Sequence, residues 1–203
     1  MLNTLLNAFS GPGGVFMVVI TALGAFSIAV AIERGVLLLW RWRSPQDVVE
    51  ARLRRGALAE AAAATAGTPV GAVIAAGAAE QDPEAAWEAM GAEAAMAEAR
   101  LRRRIGALGA VANLSTMIGL LGTVYGLILA FSALGDATAG ERAVRLSEGI
   151  SAAMATTAWG LMVGIPSLAL HAWFEGVVSR HVARIESAAG LVALALRRPS
   201  SEG

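Results

Sequence analysis

The chain contains no cysteine and no lysine, and it has one tyrosine and two histidines in 203 residues. Without cysteine there is no disulfide framework, no thiol nucleophile and no thiolate-ligated metal. The two imidazoles, His171 and His181, cannot build a zinc site without distant carboxylates, and no HExxH, GxSxG or GxxxxGK[ST] string occurs. These absences make an enzyme the weaker reading, and neither a metal nor a cofactor is expected. The 16 basic residues, all arginine, balance 16 acids, so no whole-chain field points to nucleic acid or to an acidic substrate. What the chain has in excess is apolar surface. It is 56% hydrophobic with a mean hydropathy of +0.61, too apolar for an ordinary soluble domain and suited to a lipid bilayer.

A spanning helix needs about 20 mostly apolar residues. Three intervals without a charged side chain supply them: residues 1–32 with the run Val15 to Ile32, residues 105–135, and residues 149–174. The expected fold is an all-α membrane protein with three transmembrane helices and long cytoplasmic helical extensions. Its parts are an outer interfacial segment at 1–14, spans at 15–39, 105–135 and 149–174, a cytoplasmic helical region at 40–104, a periplasmic loop at 136–148, and a cytoplasmic C-terminal helix and tail at 175–203. Orientation follows from arginine placement, because basic residues near helix ends stay inside. Arg34, Arg41 and Arg43 follow the first span, Arg100 and Arg102 to Arg104 precede the second, and Arg180 and Arg184 follow the third. The loop carries only Arg142 and Arg145. This predicts an outer N-terminus, a large cytoplasmic segment, a short outer loop and a cytoplasmic C-terminus. The first span reads as a retained helix, since a cleaved signal needs a basic start that Met1 to Gly14 lacks. Leu2, Leu5, Leu6 and Phe9 share one helical face and suit the outer interface. Trp40, Trp42 and Trp173 suit a cytoplasmic aromatic belt.

In the cytoplasmic region, Ser44-Pro45, Thr68-Pro69 and Asp82-Pro83 each place a capping side chain before proline at the first helical position. They predict three helices. From Glu84 to Gly135 there is no proline and no strong stop, so a continuous helix from Pro83 to Leu134 is expected, roughly 78 Å long at 1.5 Å per residue. The third span is expected to continue past Phe174 until Pro199.

Lipid gives helices little reason to associate, so small residues at helical spacing mark faces that pack closely. Thr116, Gly119, Thr123, Gly126 and Ala130 form such a stripe on the second span, and Gly149, Ala153, Thr157, Gly160 and Gly164 form one on the third. Thr123 and Thr157 fall at similar depth on antiparallel helices. A membrane threonine usually bonds its own i−4 carbonyl, so the alternatives are pore lining and simple packing. Pro166 deprives the Met162 carbonyl of its usual donor. Ionisable residues are the common mark of a proton relay, and no Asp, Glu, Arg or Lys lies in the three apolar intervals. A titrating group for proton conduction therefore has to come from another chain.

The strings MIGLLGTVYGLILAFSAL from Met117 and LSEGISAAMATTAWGLMVGIPSLALHAWF from Leu146 resemble the second and third transmembrane helices of the MotA/TolQ/ExbB proton-channel family. Ile32-Glu33-Arg34 and Gly67-Thr68-Pro69 look like family features too, and three spans are similar to the ExbB/TolQ branch. The resemblance implies a homo-oligomer, a pentamer, around a dimer of a single-span ExbD/TolR-like partner whose membrane Asp carries the proton. It implies that Thr123 and Thr157 line the proton pathway and that Gly119, Gly122, Gly126, Gly160, Gly164 and Pro166 serve helix packing. Glu148 and His171 are pore-mouth candidates, against plain readings as an exposed helix-start acid and an interfacial packing histidine. Two departures stand out. Ala152 occupies the position of a common family Glu, and His171-Ala172 stands where Tyr-Asn is frequent. Competing readings are a non-conducting membrane scaffold and, last, a small transporter or membrane enzyme, which needs convergent polar groups at the midplane.

Overall fold

The computed structural model describes Phe9 and residues 13–42, 46–132 and 139–197, and every element among them is helical. The capping pair Ser44-Pro45 and most of the interfacial stripe of residues 1–9 lie outside the described residues. The elements are α1 (Gly14–Gly35) continued by a π-helical turn (Val36–Arg41), α2 (Gln46–Arg54), α3 (Leu58–Ala64), α4 (Pro69–Ala78), α5 (Pro83–Arg102), α6 (Ile105–Ser132) and α7 (Ala139–Arg197). Three stretches are long and apolar enough to cross a membrane: Gly14–Trp40, Pro83–Ser132 and Glu141–Arg197. The chain forms two compact units, one from residues 1–31 and 104–172 and the other from residues 32–103 and 173–203.

Three expectations need correction. The helix expected from Pro83 to Leu134 is two helices: Arg103 leaves helical geometry at φ −51°, ψ 129°, and Arg104 takes the left-handed region at φ 65°. The break falls within the run Arg102-Arg103-Arg104, where the negative end of the helix dipole favours cations. Secondly, residues 139–148 are not loop but the opening turns of α7. Ala, Glu, Arg and Leu there are strong helix formers, and Glu141 sits in the first turn where the dipole favours an acid. Thirdly, the described residues between the first and second apolar intervals, expected to form three helices, hold four. Gly56, at φ 77°, ends α2 and admits a short extra helix, α3. As expected, α7 continues past Phe174, to Arg197.

In the first unit, α1, α6 and α7 pack through small and hydroxylated residues. Met17, Ile20, Ile105, Leu108, Val111 and Ala153 are buried, while Val15, Ile28, Met117, Leu121, Ile128, Met154 and Ile165 face outward. An exterior this apolar, over an interior that also buries Ser27, Ser115, Thr156 and Ser167, suits a lipid solvent rather than water. Interhelical hydrogen bonds fix the register. Ser27 and Ser167 hydroxyls pair at 2.8 Å, and the Trp159 indole N–H donates to Thr21 Oγ1 at 2.9 Å.

The second unit is held by Val73, Ile74, Met90, Leu101, Phe174, Ile185 and Val192, all buried. Its helix ends are closed by side chains. Thr68 Oγ1 donates to the Thr65 carbonyl at 2.7 Å and accepts from Gly71 N at 3.1 Å, so one hydroxyl serves the end of α3 and the start of α4. Gly67 makes the intervening turn at φ 77°. Asp82 caps α5 by accepting from Ala85 N at 3.0 Å. Arg34, 2% exposed rather than in water, pairs with Glu33 at 3.0 Å and sends Nη1 to the Arg100 carbonyl at 3.4 Å in the last turn of α5.

His181 is buried and its Nε2 lies 3.2 Å from the Leu38 carbonyl, which requires Nε2 to carry the proton. Burial holds its pKa below 6.5, the Leu38 bond opposes that shift, and Arg184 and Arg180 add to it. The unfolded chain therefore takes up this proton at higher pH than the folded chain, and stability falls as pH drops below 6.5 toward the folded pKa. In detergent, the wild-type melting temperature is expected to fall more steeply below that pH than that of His181→Gln, with parallel behaviour above it. Identical slopes throughout contradict the assignment.

Candidate functional site

The close approach of α6 to α7 is written in glycine. A Cβ on Gly119 meets the Thr156 carbonyl at 3.0 Å and the Gly160 Cα at 3.2 Å, and one on Gly160 meets the Ser115 carbonyl at 2.6 Å. A Cβ on Gly122 would lie 2.8 Å from Thr156 Oγ1, one on Gly126 2.9 Å from the Ala153 Cβ and one on Gly164 2.8 Å from Thr116 Oγ1. The five glycines expected to serve packing thus all stand in the α6/α7 contact. Pro166 stands on an exposed face of α7.

Because these backbones touch, carbonyl oxygens of one helix come within reach of hydroxyls on the other. Thr157 Oγ1 donates across to the Gly119 carbonyl at 3.0 Å. Thr123 Oγ1 lies 3.2 Å from its own i−4 carbonyl, Gly119, and 3.1 Å from the Ala153 carbonyl of α7. The Thr123 and Thr157 hydroxyls are in direct hydrogen-bond contact. Both readings of a membrane threonine therefore coexist at Thr123. A third hydroxyl, Thr156 Oγ1, donates to Ala153 at 2.7 Å and lies 3.4 Å from Gly119. Each hydroxyl owns one proton. With Thr156 on Ala153, Thr157 on Gly119, and Thr123 on Ala153 or Thr157, all three are engaged inside the protomer.

Thr156 is fully buried, whereas Thr123 and Thr157 are half-buried. One helical turn away from the pair, Leu120, Met154 and Leu161 are exposed. The threonine pair is thus a polar spot on an apolar face, with hydroxyl lone pairs as its remaining hydrogen-bonding capacity.

The structure does not bring the other candidates to this spot. Glu148 is exposed and nine residues from Thr157, a rise of about 13 Å. His171 is fourteen residues away in the other direction, about 21 Å. It is half-buried with Nδ1 3.1 Å from the Ile105 carbonyl, and its ring lies 3.3 Å from where a Cβ on Gly109 would be. Sequence reasoning passed over Thr156, Ser115, the Ser27–Ser167 pair and Trp159. The tryptophan had a readable signal, since an indole N–H inside a span needs an acceptor. Ser115 Oγ is fully buried with no partner among the described residues.

The glycine contact makes a stability prediction. Gly160→Ala forces a methyl against the Ser115 carbonyl and is expected to cost about 1–3 kcal/mol. Gly106→Ala, with nothing within 4 Å of its Cβ, is expected to be neutral or to stabilise by up to about 1 kcal/mol. Thermal unfolding of the detergent-solubilised variants decides, and a neutral Gly160→Ala contradicts the packing.

Residues 49–187 match the MotA/TolQ/ExbB proton channel family. The chain is 36% identical over 108 residues to a putative biopolymer transport protein ExbB-like 3 of Synechocystis sp., covering 52% of this chain and 51% of that protein. It is 33% identical over 165 residues to a putative ExbB-like 1 protein of the same organism, covering 77% and 65%. Against a putative biopolymer transport protein ExbB homolog of Methanothermobacter thermautotrophicus the identity is 28% over 192 residues, 91% of this chain and 67% of the other. The chain thus spans about half to two thirds of the length of these curated relatives.

Proposed function

The chain belongs to the MotA/TolQ/ExbB proton channel family and is a multi-pass membrane protein, and we propose that it is the channel subunit of a proton-driven inner-membrane energiser. In this reading five copies surround a dimer of a single-span ExbD/TolR-like partner, and proton flow through the assembly does work in the cell envelope. The observation that carries the reading is the Thr123–Thr157 pair. It is a polar spot held on an outward apolar face by two helices that have no charged side chain along the packed stretch. The chain acts as a channel wall and not as an enzyme.

The division of labour follows from cost. An unpaired charge in a dry apolar stretch is strongly disfavoured, and hydroxyls alone give a proton no resting place. A partner Asp supplies one: protonated and neutral, it passes the apolar region, finds the threonine hydroxyls as hydrogen-bond partners, and releases its proton toward the cytoplasm. Glu148 at the outer end and His171 at the inner end of the third span are assigned no obligatory step. The position held by Ala152 supports one second reading, a non-conducting scaffold, because a carboxylate common in the ExbB and TolQ branch is absent there.

Reconstituted liposomes under an imposed proton gradient separate the two. Flux is expected only when the chain is coexpressed with its partner, and it is expected to vanish when the partner's membrane Asp becomes Asn. Rapid equilibration by the chain alone rejects the shared-site mechanism, and no flux in any combination supports the scaffold.

Removing the hydroxyls tests the pair itself. Thr157→Val, and less severely Thr123→Val, are expected to assemble but to lose most ion-dependent activity. A membrane hydrogen bond contributes only about 0.6 kcal/mol on average, so packing alone predicts nearly full activity. The proposed orientation has its own check. A cysteine at Ala59 is expected to resist an impermeant thiol reagent in spheroplasts while one at Ala139 reacts, and labelling at Ala59 reverses the topology.

A further inference from the structure

Beyond the ion path, the second unit carries a cleft of about 340 Å³, at the lower end of the range for small-molecule sites. We infer that this cleft, lined by Leu38, Trp40, Trp173, Arg180, His181 and Arg184, binds the phosphate-bearing headgroup of an anionic phospholipid.

Two features define the ligand. Arg180 and Arg184 stand one turn apart on α7, where Cβ atoms lie about 5–6 Å from each other and like charges repel. Among the described residues neither guanidinium forms an ion pair. Arg184 also borders a neighbouring cleft with Glu50, but that carboxylate faces Arg54 at 4.0 Å. Both guanidinium charges act on the buried His181 imidazole, so the positive charge converges on the cleft. An anion with several acceptor oxygens relieves the repulsion and takes charge-assisted hydrogen bonds from both arms.

The second feature separates a lipid from a free phosphate. Trp40 is 85% exposed and Trp173 is 48% exposed. Indoles left in water waste a large apolar body, whereas at the headgroup boundary ring and N–H both find suitable surroundings. Leu38 and Trp40 lie on the π-helical turn that continues the first apolar run, and Trp173 stands at the end of the third. A soluble phosphate engages the arginines and leaves the indoles wet. A phospholipid engages both at once: its phosphodiester meets the arginines, and its glycerol and upper acyl segments cover the rings.

The test uses the full chain, assembled and purified in a neutral detergent, titrated with phosphatidylglycerol and read by native mass spectrometry and thermal melting. Wild type is expected to retain one phosphatidylglycerol per copy and to melt higher with it, and phosphatidylcholine is expected to bind at least tenfold more weakly. The double variant Arg180→Gln/Arg184→Gln is expected to lose at least tenfold in phosphatidylglycerol affinity. The control Arg55→Gln/Arg197→Gln, with the same charge loss outside the cleft, is expected to match wild type. Trp40→Ala, which alters an exposed ring and no charge, keeps the question open to decision if the arginine variant fails to fold, and it too is expected to weaken lipid retention. Equal losses in both arginine pairs reduce the effect to general surface charge and overturn the site. Displacement of the lipid by millimolar inorganic phosphate overturns it in favour of a free-anion site. Absence of retained lipid, or disulfide crosslinking of Trp40→Cys between copies, overturns it in favour of an empty or self-covered surface.

Discussion

The contact between Gly119 and Gly160 sets what the membrane unit is able to be. Hydrocarbon gives two helices no hydrophobic reason to pair, so attraction has to come from many atoms at short range and from polar groups that find each other. Glycine at both positions removes the side chains that hold backbones apart, leaving the ideal Cβ of Gly119 only 3.2 Å from the Gly160 Cα. At that separation the Gly119 carbonyl is within reach of hydroxyls from the facing helix, which is why Thr157 donates across to it at 3.0 Å while Thr156 Oγ1 stands 3.4 Å away. Packing and polarity at this site are therefore one arrangement. A side chain at Gly119 or Gly160 moves the hydroxyls as surely as it opens a gap.

The second unit solves a different problem by related means. Its helices are short and alanine-rich, and each brings unsatisfied backbone groups at its ends. Thr68 closes two ends with a single hydroxyl, Asp82 closes a third, and the guanidinium of Arg34 reaches the last turn of α5. Burying Arg34 is expensive on its own, and Glu33 with the Arg100 carbonyl offsets that cost. Gly77 lets α4 sit close to Met90 and Val192, at 2.6 and 2.9 Å from where its Cβ would be.

Much of this was legible in the residues, for reasons that mark the boundary of such reading. Uncharged intervals show spanning helices because the bilayer tolerates few exceptions, and small-residue stripes show faces because nothing larger fits. Thr68-Pro69 and Asp82-Pro83 were legible because capping is local. The break at Arg103–Arg104 was missed because arginine carries no steric veto against helix, and cations favoured at a dipole terminus mark an end more weakly than glycine or proline. Residues 139–148 read as loop because they are polar, although their propensities are helical. The meeting of Thr123 with Thr157 was foreseen in depth but not in detail, and Thr156 was passed over. Two adjacent threonines point roughly 100° apart on a helix of 3.6 residues per turn, and only the partner helix decides which of them is covered.

The proton inventory of the three hydroxyls has a consequence for what this surface recognises. Each donor has an acceptor within the chain, so what Thr123 and Thr157 have left to offer is lone pairs. Such a surface has a sign without having a charge: it welcomes a group that brings a hydrogen and offers nothing to one that brings only electrons. A carboxylic acid and its carboxylate differ in that one respect. In the proposed channel, two neutral alcohols fixed by glycine-close backbones thereby favour the protonated form of a facing carboxyl group, and they do so without titrating. Their preference does not drift with pH, so any pH response at such a surface belongs to the visitor.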